Sequence, residues 1–266
     1  MASVKNRALK VKQPKGGYIN PSQLETIEFD DGCTLGEENI HPSIVGMTVD
    51  YMTRFLTGDN VKAAFFISAM GYLSRIRRLG RATIQEDVAK KIDLETLFSI
   101  INGLDDESII AACKATTYDV WYRNPRSAVG VKGAEDINPD ATTISNIRIM
   151  VNRGVKFFEK YGPVTKTGYS FGCGYSEVVT SGDGDFITED GMWDFKVSKN
   201  EPKSTDTLQI LMYYIMGQMS GRDYFFEGKK KRIGIFNPRL NKAYSIKIED
   251  ISDEVFRDVS DNVICY

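Results

Sequence analysis

The chain has 266 residues, of which 42% are hydrophobic and 26% charged; disorder and fibre are excluded, and one large domain or a core with an added lobe is expected. No apolar run reaches the roughly 18 residues that span a bilayer, and the opening MASVKNRALKVK lacks the apolar stretch of a signal peptide, so no membrane role and a cytoplasmic location are expected. The formal net charge of −2 argues against a surface coated for nucleic acid, and Cys33, Cys113, Cys173 and Cys265 stand too far apart for a zinc site or a disulfide scaffold.

The charge is nevertheless patchy. Lys5, Arg7, Lys10, Lys12 and Lys15 precede an acidic stretch of Glu25, Glu28, Asp30, Asp31, Glu37 and Glu38. Two further basic clusters are Arg75, Arg77, Arg78 and Arg81, and Lys229, Lys230, Lys231 and Arg232. Such runs read as solvated surface unless a nearby site needs an anionic partner.

The first half of the chain reads as helices. Pro42 suits a first helical turn and Gly58 a C-terminal stop, which predicts a helix over 42–57. His41, just before that proline, reads as a helix N-terminal or turn residue rather than a ligand. Residues 61–79 are apolar almost all round at first and predict a buried helix ended by Gly80. Helical patterns also cover 84–102, 106–121 and 142–161, with an irregular link marked by Pro125, Gly130, Gly133 and Pro139. Tyr118, Trp121 and Tyr122 with Arg123 form a core stripe, or else a surface that stacks on bases. Cys113 and Cys173 look like small core residues.

After Gly162 the pattern changes. Residues 168–198 alternate and carry turn signals, a helix follows over 205–219, and strands follow near 232–237 and 243–248. The order predicts an α/β or α+β core, residues 141–266, carrying a helical N-terminal lobe, residues 1–140.

Asp190-Gly191 signals a two-residue hairpin turn. In that register Ile187 faces Asp194, Phe186 faces Phe195 and Asp185 faces Lys196. Asp185, Asp194 and Lys196 then project from one face, and Phe186, Trp193 and Phe195 from the other. Two carboxylates that close repel unless a cation lies between them, and a hard divalent ion such as Mg²⁺ meets that need. A lysine beside them can orient water or stabilise charge on a phosphate. On the next helix Gln209 and Tyr213 stand four apart and share a face.

The block G-x-D, D-x-K, Q-x-x-x-Y, carried by Asp185, Asp194, Lys196, Gln209 and Tyr213 over about 35 residues, resembles the PD-(D/E)XK nuclease superfamily, most closely its RecB-like branch. The resemblance implies a restriction-endonuclease-like core, a central mixed sheet flanked by helices. It places metal-binding acids at Asp185 and Asp194, the catalytic lysine at Lys196 and the Gln–Tyr pair at Gln209 and Tyr213. That branch usually carries G-x-x-x-H on an early helix; here Gly46 to Asp50 has the spacing with aspartate at the end. Asp50 is therefore a candidate third ligand on the helix over about 42–57, and Glu177, on the strand before the hairpin, is its rival. The cysteines do not follow the clustered spacing of the iron–sulfur members, so no iron–sulfur cluster is implied.

The expected function is Mg²⁺- or Mn²⁺-dependent hydrolysis of DNA phosphodiester bonds, as a phage or mobile-element recombination exonuclease or a defence nuclease. Arg75, Arg77, Arg78 and Lys199 are the candidate DNA contacts, and a second copy or a recombination or defence protein is the candidate partner. The alternative is a nuclease-fold module with weak or no catalysis that binds nucleic acid or protein as an accessory or inhibitor, which the aspartate at position 50 would permit.

Overall fold

The computed structural model describes residues 2–226 and 230–266. It is α+β, and the chain divides into two compact units: residues 1–31 with 156–266, and residues 32–155. The division differs from the expected 1–140 and 141–266 in two places: the first 31 residues belong with the sheet, and residues 141–155 with the helical unit. Val4, Ala8 and Ile19 are buried in one core with Leu208, Leu211 and Tyr213.

The strands are β1 (Ala2–Ser3), β2 (Glu25–Glu28), β3 (Val164–Tyr169), β4 (Val179–Ser181), β5 (Gly184–Thr188), β6 (Gly191–Phe195), β7 (Arg232–Asn237) and β8 (Lys242–Lys247). Six of them form a mixed sheet in the order β2-β8-β7-β6-β5-β3. β6 and β7 run parallel and are joined through the helix Ser204–Gln218; the other pairs are antiparallel. β1 and β4 form a separate parallel pair.

Alternation along the strands divides the apolar side chains between two cores. Phe186, Trp193, Phe195 and Phe236 are buried with Phe157 and Phe158 of the helix Ala141–Tyr161. Ile187 and Met192 are buried on the other face with Leu208, Leu211 and Met212 of the helix Ser204–Gln218. Trp193 also explains Gly234, its partner on β7: a Cβ there would lie 2.3 Å from Trp193 Cζ3.

The β5–β6 connection differs from the two-residue turn. The register pairs Phe186 with Trp193 and Ile187 with Met192, leaving four residues, Thr188 to Gly191, between the last paired positions. Tertiary contacts override the local turn signal. The Asp190 carbonyl accepts from Lys231 N (2.8 Å) and Arg232 N (3.2 Å), and the Asp190 carboxylate pairs with Arg232 Nε at 2.9 Å. Lys230, Lys231 and Arg232 of the basic cluster therefore pin this turn, while Lys229 lies outside the described residues. Because the slip is two residues, every side chain keeps its predicted face; the ladder ends at the Phe186–Trp193 pair, and Asp185 and Asp194 are the residues next beyond it on the two strands.

The second unit is helical. Pro42–Leu56 matches the predicted helix, with Pro42 in the first turn and His41 as N-cap, its Nδ1 accepting from Ser43 N at 3.2 Å. The long helix expected over 61–79 is broken at Phe65 into Val61–Ala64 and Phe66–Leu79, and only part of it is buried: Phe66 is 56% exposed. The helix expected over 84–102 is likewise two, Ala82–Ala89 and Leu94–Ile100, separated where Lys91 takes a left-handed backbone and Asp93 caps the next turn. Residues 106–121 also divide, into Asp106–Thr116 and Asp119–Arg123. Asp119 is buried and accepts from Tyr51 OH (2.5 Å) and Ser68 Oγ (2.6 Å). Cys113 is buried as expected, whereas Cys173 is exposed rather than part of the core; all four cysteines are free thiols.

Candidate functional site

The structure brings Asp185, Asp194, Lys196, Gln209 and Tyr213 together within the sheet unit. Alternation on β5 and β6 turns Asp185 and Asp194 to the same side, and Lys196 follows one residue after β6 ends. The helix Ser204–Gln218 lies over that side, and its four-residue spacing aims Gln209 and Tyr213 at the acids.

Gln209 is the hub. It is 6% exposed, its Nε2 donates to Tyr213 OH at 2.8 Å and Asp194 Oδ1 at 3.3 Å, and its Oε1 accepts from Lys196 Nζ at 3.1 Å. Lys196 Nζ also lies 2.9 Å from Asp194 Oδ2. That approach is off the hydrogen-bonding direction, so the buried Asp194 Oδ2 has a close cation but no directed hydrogen bond. Asp185 is anchored by Phe195 N, which donates to its Oδ2 at 2.8 Å. Tyr213 stacks on Phe171 with ring centroids 5.1 Å apart.

Burial sets the electrostatics. It pushes the Asp194 carboxyl up to about 7, against the pull of Lys196 and with the Asp185 charge adding to the rise. Burial draws the Lys196 ammonium down, but Asp194 at its side, with Asp206 and Asp185 beyond, outweighs this and the net direction is upward. Tyr213 is held protonated well above the ordinary tyrosine range by burial and by the nearby carboxylates. Two carboxylates meeting across adjacent strands, one with a buried oxygen lacking a directed donor, fit a hard divalent cation of the Mg²⁺ class.

Asp206 joins the site without having been singled out in the sequence. Its Oδ1 lies 4.0 Å from Lys196 Nζ, and its Oδ2 accepts from Lys203 N at 2.9 Å across the first turn of the helix. The signal was present, since Asp206 stands three residues before Gln209 on the same helix face.

The remaining candidates have their own settings. Asp50, half-buried in the helical unit, accepts from Arg54 Nε at 2.9 Å and Nη2 at 2.8 Å. Glu177 is exposed and lies in a bend before β4, not on a strand. Arg75 is taken up by an ion pair with the buried Asp87 and lies over the Tyr118 ring at 5.7 Å. Arg77, Arg78 and Arg81 are exposed around the end of the helix Phe66–Leu79, and Lys199 is exposed beyond β6. Of the aromatic stripe, Tyr118 is buried and Tyr122 is 48% exposed.

Comparisons of the chain with protein-family models, curated proteins and solved structures find no match. Among the described residues no helix is long and apolar enough to cross a membrane.

Proposed function

We propose that the chain is a divalent-metal-dependent nuclease that hydrolyses DNA phosphodiester bonds in the cytoplasm, on a restriction-endonuclease-like core. The observation that carries this reading is the Asp185–Asp194–Lys196 arrangement, in which a buried Asp194 oxygen without a directed hydrogen bond lies 2.9 Å from the lysine ammonium. Asp185 and Asp194 would hold Mg²⁺ or Mn²⁺, which supplies Lewis-acid activation of water and of the phosphate. Lys196 stabilises charge developing on the scissile phosphate. Gln209 fixes the lysine and Asp194 relative to one another, and Tyr213 holds Gln209. Glu177, on the same unit as the two acids, is the proposed third ligand; Asp50 belongs to the other unit, where both its oxygens accept from Arg54.

Substrate charge has a counterpart on the same unit. Lys12, Lys15, Lys199 and Lys203 are exposed and form no ion pair among the described residues. The segment bearing Lys12 and Lys15 reaches the start of the site helix, where Thr207 Oγ1 donates to Ile19 O at 2.7 Å. With Arg75 engaged by Asp87, these lysines and Arg77 and Arg78 are the proposed phosphate contacts. A phage or mobile-element recombination exonuclease or a defence nuclease is the proposed setting. The test is incubation of circular and linear DNA with Mg²⁺ or Mn²⁺, with and without EDTA. Metal-dependent cleavage that Asp185→Asn abolishes is expected; intact DNA in every condition overturns the reading.

A further inference from the structure

We infer that Asp206 is the counter-ion that receives Lys196 when Asp194 takes a divalent cation, which makes Asp206 a positioning residue for the nuclease reading on which this inference rests. Lys196 Nζ stands 2.9 Å from Asp194 Oδ2, so the ammonium already neutralises the oxygen that a metal ion would use. Two cations beside one carboxylate repel, and Lys196 has to yield part of that contact. Its other near acceptors are Gln209 Oε1 at 3.1 Å and Asp206 Oδ1 at 4.0 Å. Gln209 offers a neutral amide oxygen and no countercharge. Asp185 carries charge but stands with Asp194 just beyond the last pair of the hairpin, on the acid side that the cation would share. Asp206 remains, and its placement suits the task.

The Asp206 carboxylate is held by one oxygen at the N-terminal turn of the helix, through Lys203 N at 2.9 Å, and turns the other toward Lys196. A carboxylate anchored in this way accepts the ammonium with little further loss of side-chain freedom. The flexible four-carbon lysine stem can span the shift while Gln209 stays bonded to it. The ammonium thus stays close to where the phosphate would lie instead of swinging into solvent, and the apo ion pair does not compete at full strength with metal binding.

Mg²⁺ titration calorimetry without DNA tests the transfer in a four-member cycle of wild type, Asp206→Asn, Lys196→Met and the double variant. Asparagine keeps an oxygen for Lys203 N and removes the charge; Asp206→Gln, a residue that suits this third helical position of a capping box, serves as the second probe. In the lysine background both substitutions at position 206 are expected to weaken Mg²⁺ binding roughly three- to thirtyfold, the range for side chains coupled through a shared network. In the Lys196→Met background the same substitutions are expected to change affinity less than about twofold, because no ammonium needs a new partner. Equal losses in both backgrounds overturn the transfer and leave Asp206 as a remote negative charge. No loss in the lysine background also overturns it. A wild type that binds no Mg²⁺ overturns the metal reading together with this inference, an outcome distinct from the other two.

Discussion

Replacing Asp194 with asparagine tests the electrostatics and the metal assignment together. The carboxyl is 3% exposed, and its pKa is raised from 3.8 to about 7, chiefly by burial. An acid whose folded pKa exceeds its unfolded value stabilises the fold fully below the unfolded pKa, here below about pH 4, and that contribution is lost as the pH climbs through about 7. At about 1.4 kcal/mol per pKa unit, the raised pKa costs the wild type, net of ionisation in the folded state, on the order of 2 kcal/mol at pH 5 and 4 kcal/mol at pH 8. The amide keeps the shape, an oxygen for Gln209 Nε2 and none of the titration. Relative to Asp194→Asn, the wild type is therefore expected to lose about 2–3 kcal/mol between pH 5 and pH 8. Urea unfolding of both proteins in EDTA at the two pH values measures this difference directly. Adding Mg²⁺ at pH 8 should then raise wild-type stability by about 2.7 kcal/mol at a hundredfold excess over its dissociation constant and leave the variant unmoved. A stability gap that is the same at pH 5 and pH 8 refutes the buried-charge argument, and equal stabilisation of both proteins by Mg²⁺ removes Asp194 from the ligand set.

Other perturbations separate chemistry, binding and packing. Lys196→Ala should lower cleavage by on the order of 100-fold or more while DNA affinity in EDTA changes little, measured by turnover and by equilibrium binding. Replacing Lys12, Lys15, Lys199 and Lys203 together with glutamine should weaken DNA binding and flatten its salt dependence; an unchanged slope of affinity against salt removes them from the interface. Gly234→Ala should destabilise the sheet unit by about 1–3 kcal/mol, because the new methyl would meet Trp193 Cζ3 at 2.3 Å, and a urea midpoint matching the wild type would show that the indole relocates freely.

Helix ends were the most legible features where a side chain or a backbone requirement marks them. Pro42 opens one helix, Gly80 closes another, and both stand where the pattern put them. Interior breaks were not legible. Phe65 interrupts the run 61–79 without Gly or Pro, because its ring is buried against Tyr51 and Phe98 while its neighbour Phe66 faces outward. Tertiary packing outweighs helix propensity there. β2 was hidden for a related reason. Its four residues, Glu-Thr-Ile-Glu, carry one half-buried apolar side chain, so alternation has almost nothing to report. The strand is held by pairing with β8 and by Glu25–Arg232 and Glu28–Lys242 contacts at 3.6 and 3.4 Å. An acidic run that reads as solvated surface thus includes a sheet edge, and charge on an edge strand is what discourages pairing with another chain.

The hairpin shows why the site was more legible than the turn that builds it. Asp190-Gly191 suggested a two-residue turn, and the connection instead leaves four residues between paired positions because Asp190 is held by the backbone and side chains at the entrance to β7. A slip of one residue would have sent Asp185 and Asp194 to opposite faces and separated the acids. A slip of two exchanges partners within a face and leaves membership of the face untouched. It also sharpens the arrangement: Asp185 and Asp194 become the residues next beyond the last pair of the hairpin, and Lys196 reaches back to Asp194 and across to Gln209. The side of the sheet is decided by burying Phe186, Trp193 and Phe195 against Phe157 and Phe158, each aromatic side chain contributing about 1.5–3 kcal/mol on burial. The acids are thus brought together, against their mutual repulsion, by the burial of the aromatic side chains on the opposite face. This accounts for a costly cluster of charge that is readable from alternation alone, while Asp206, placed by the cap of a separate helix, could not be found from the strands.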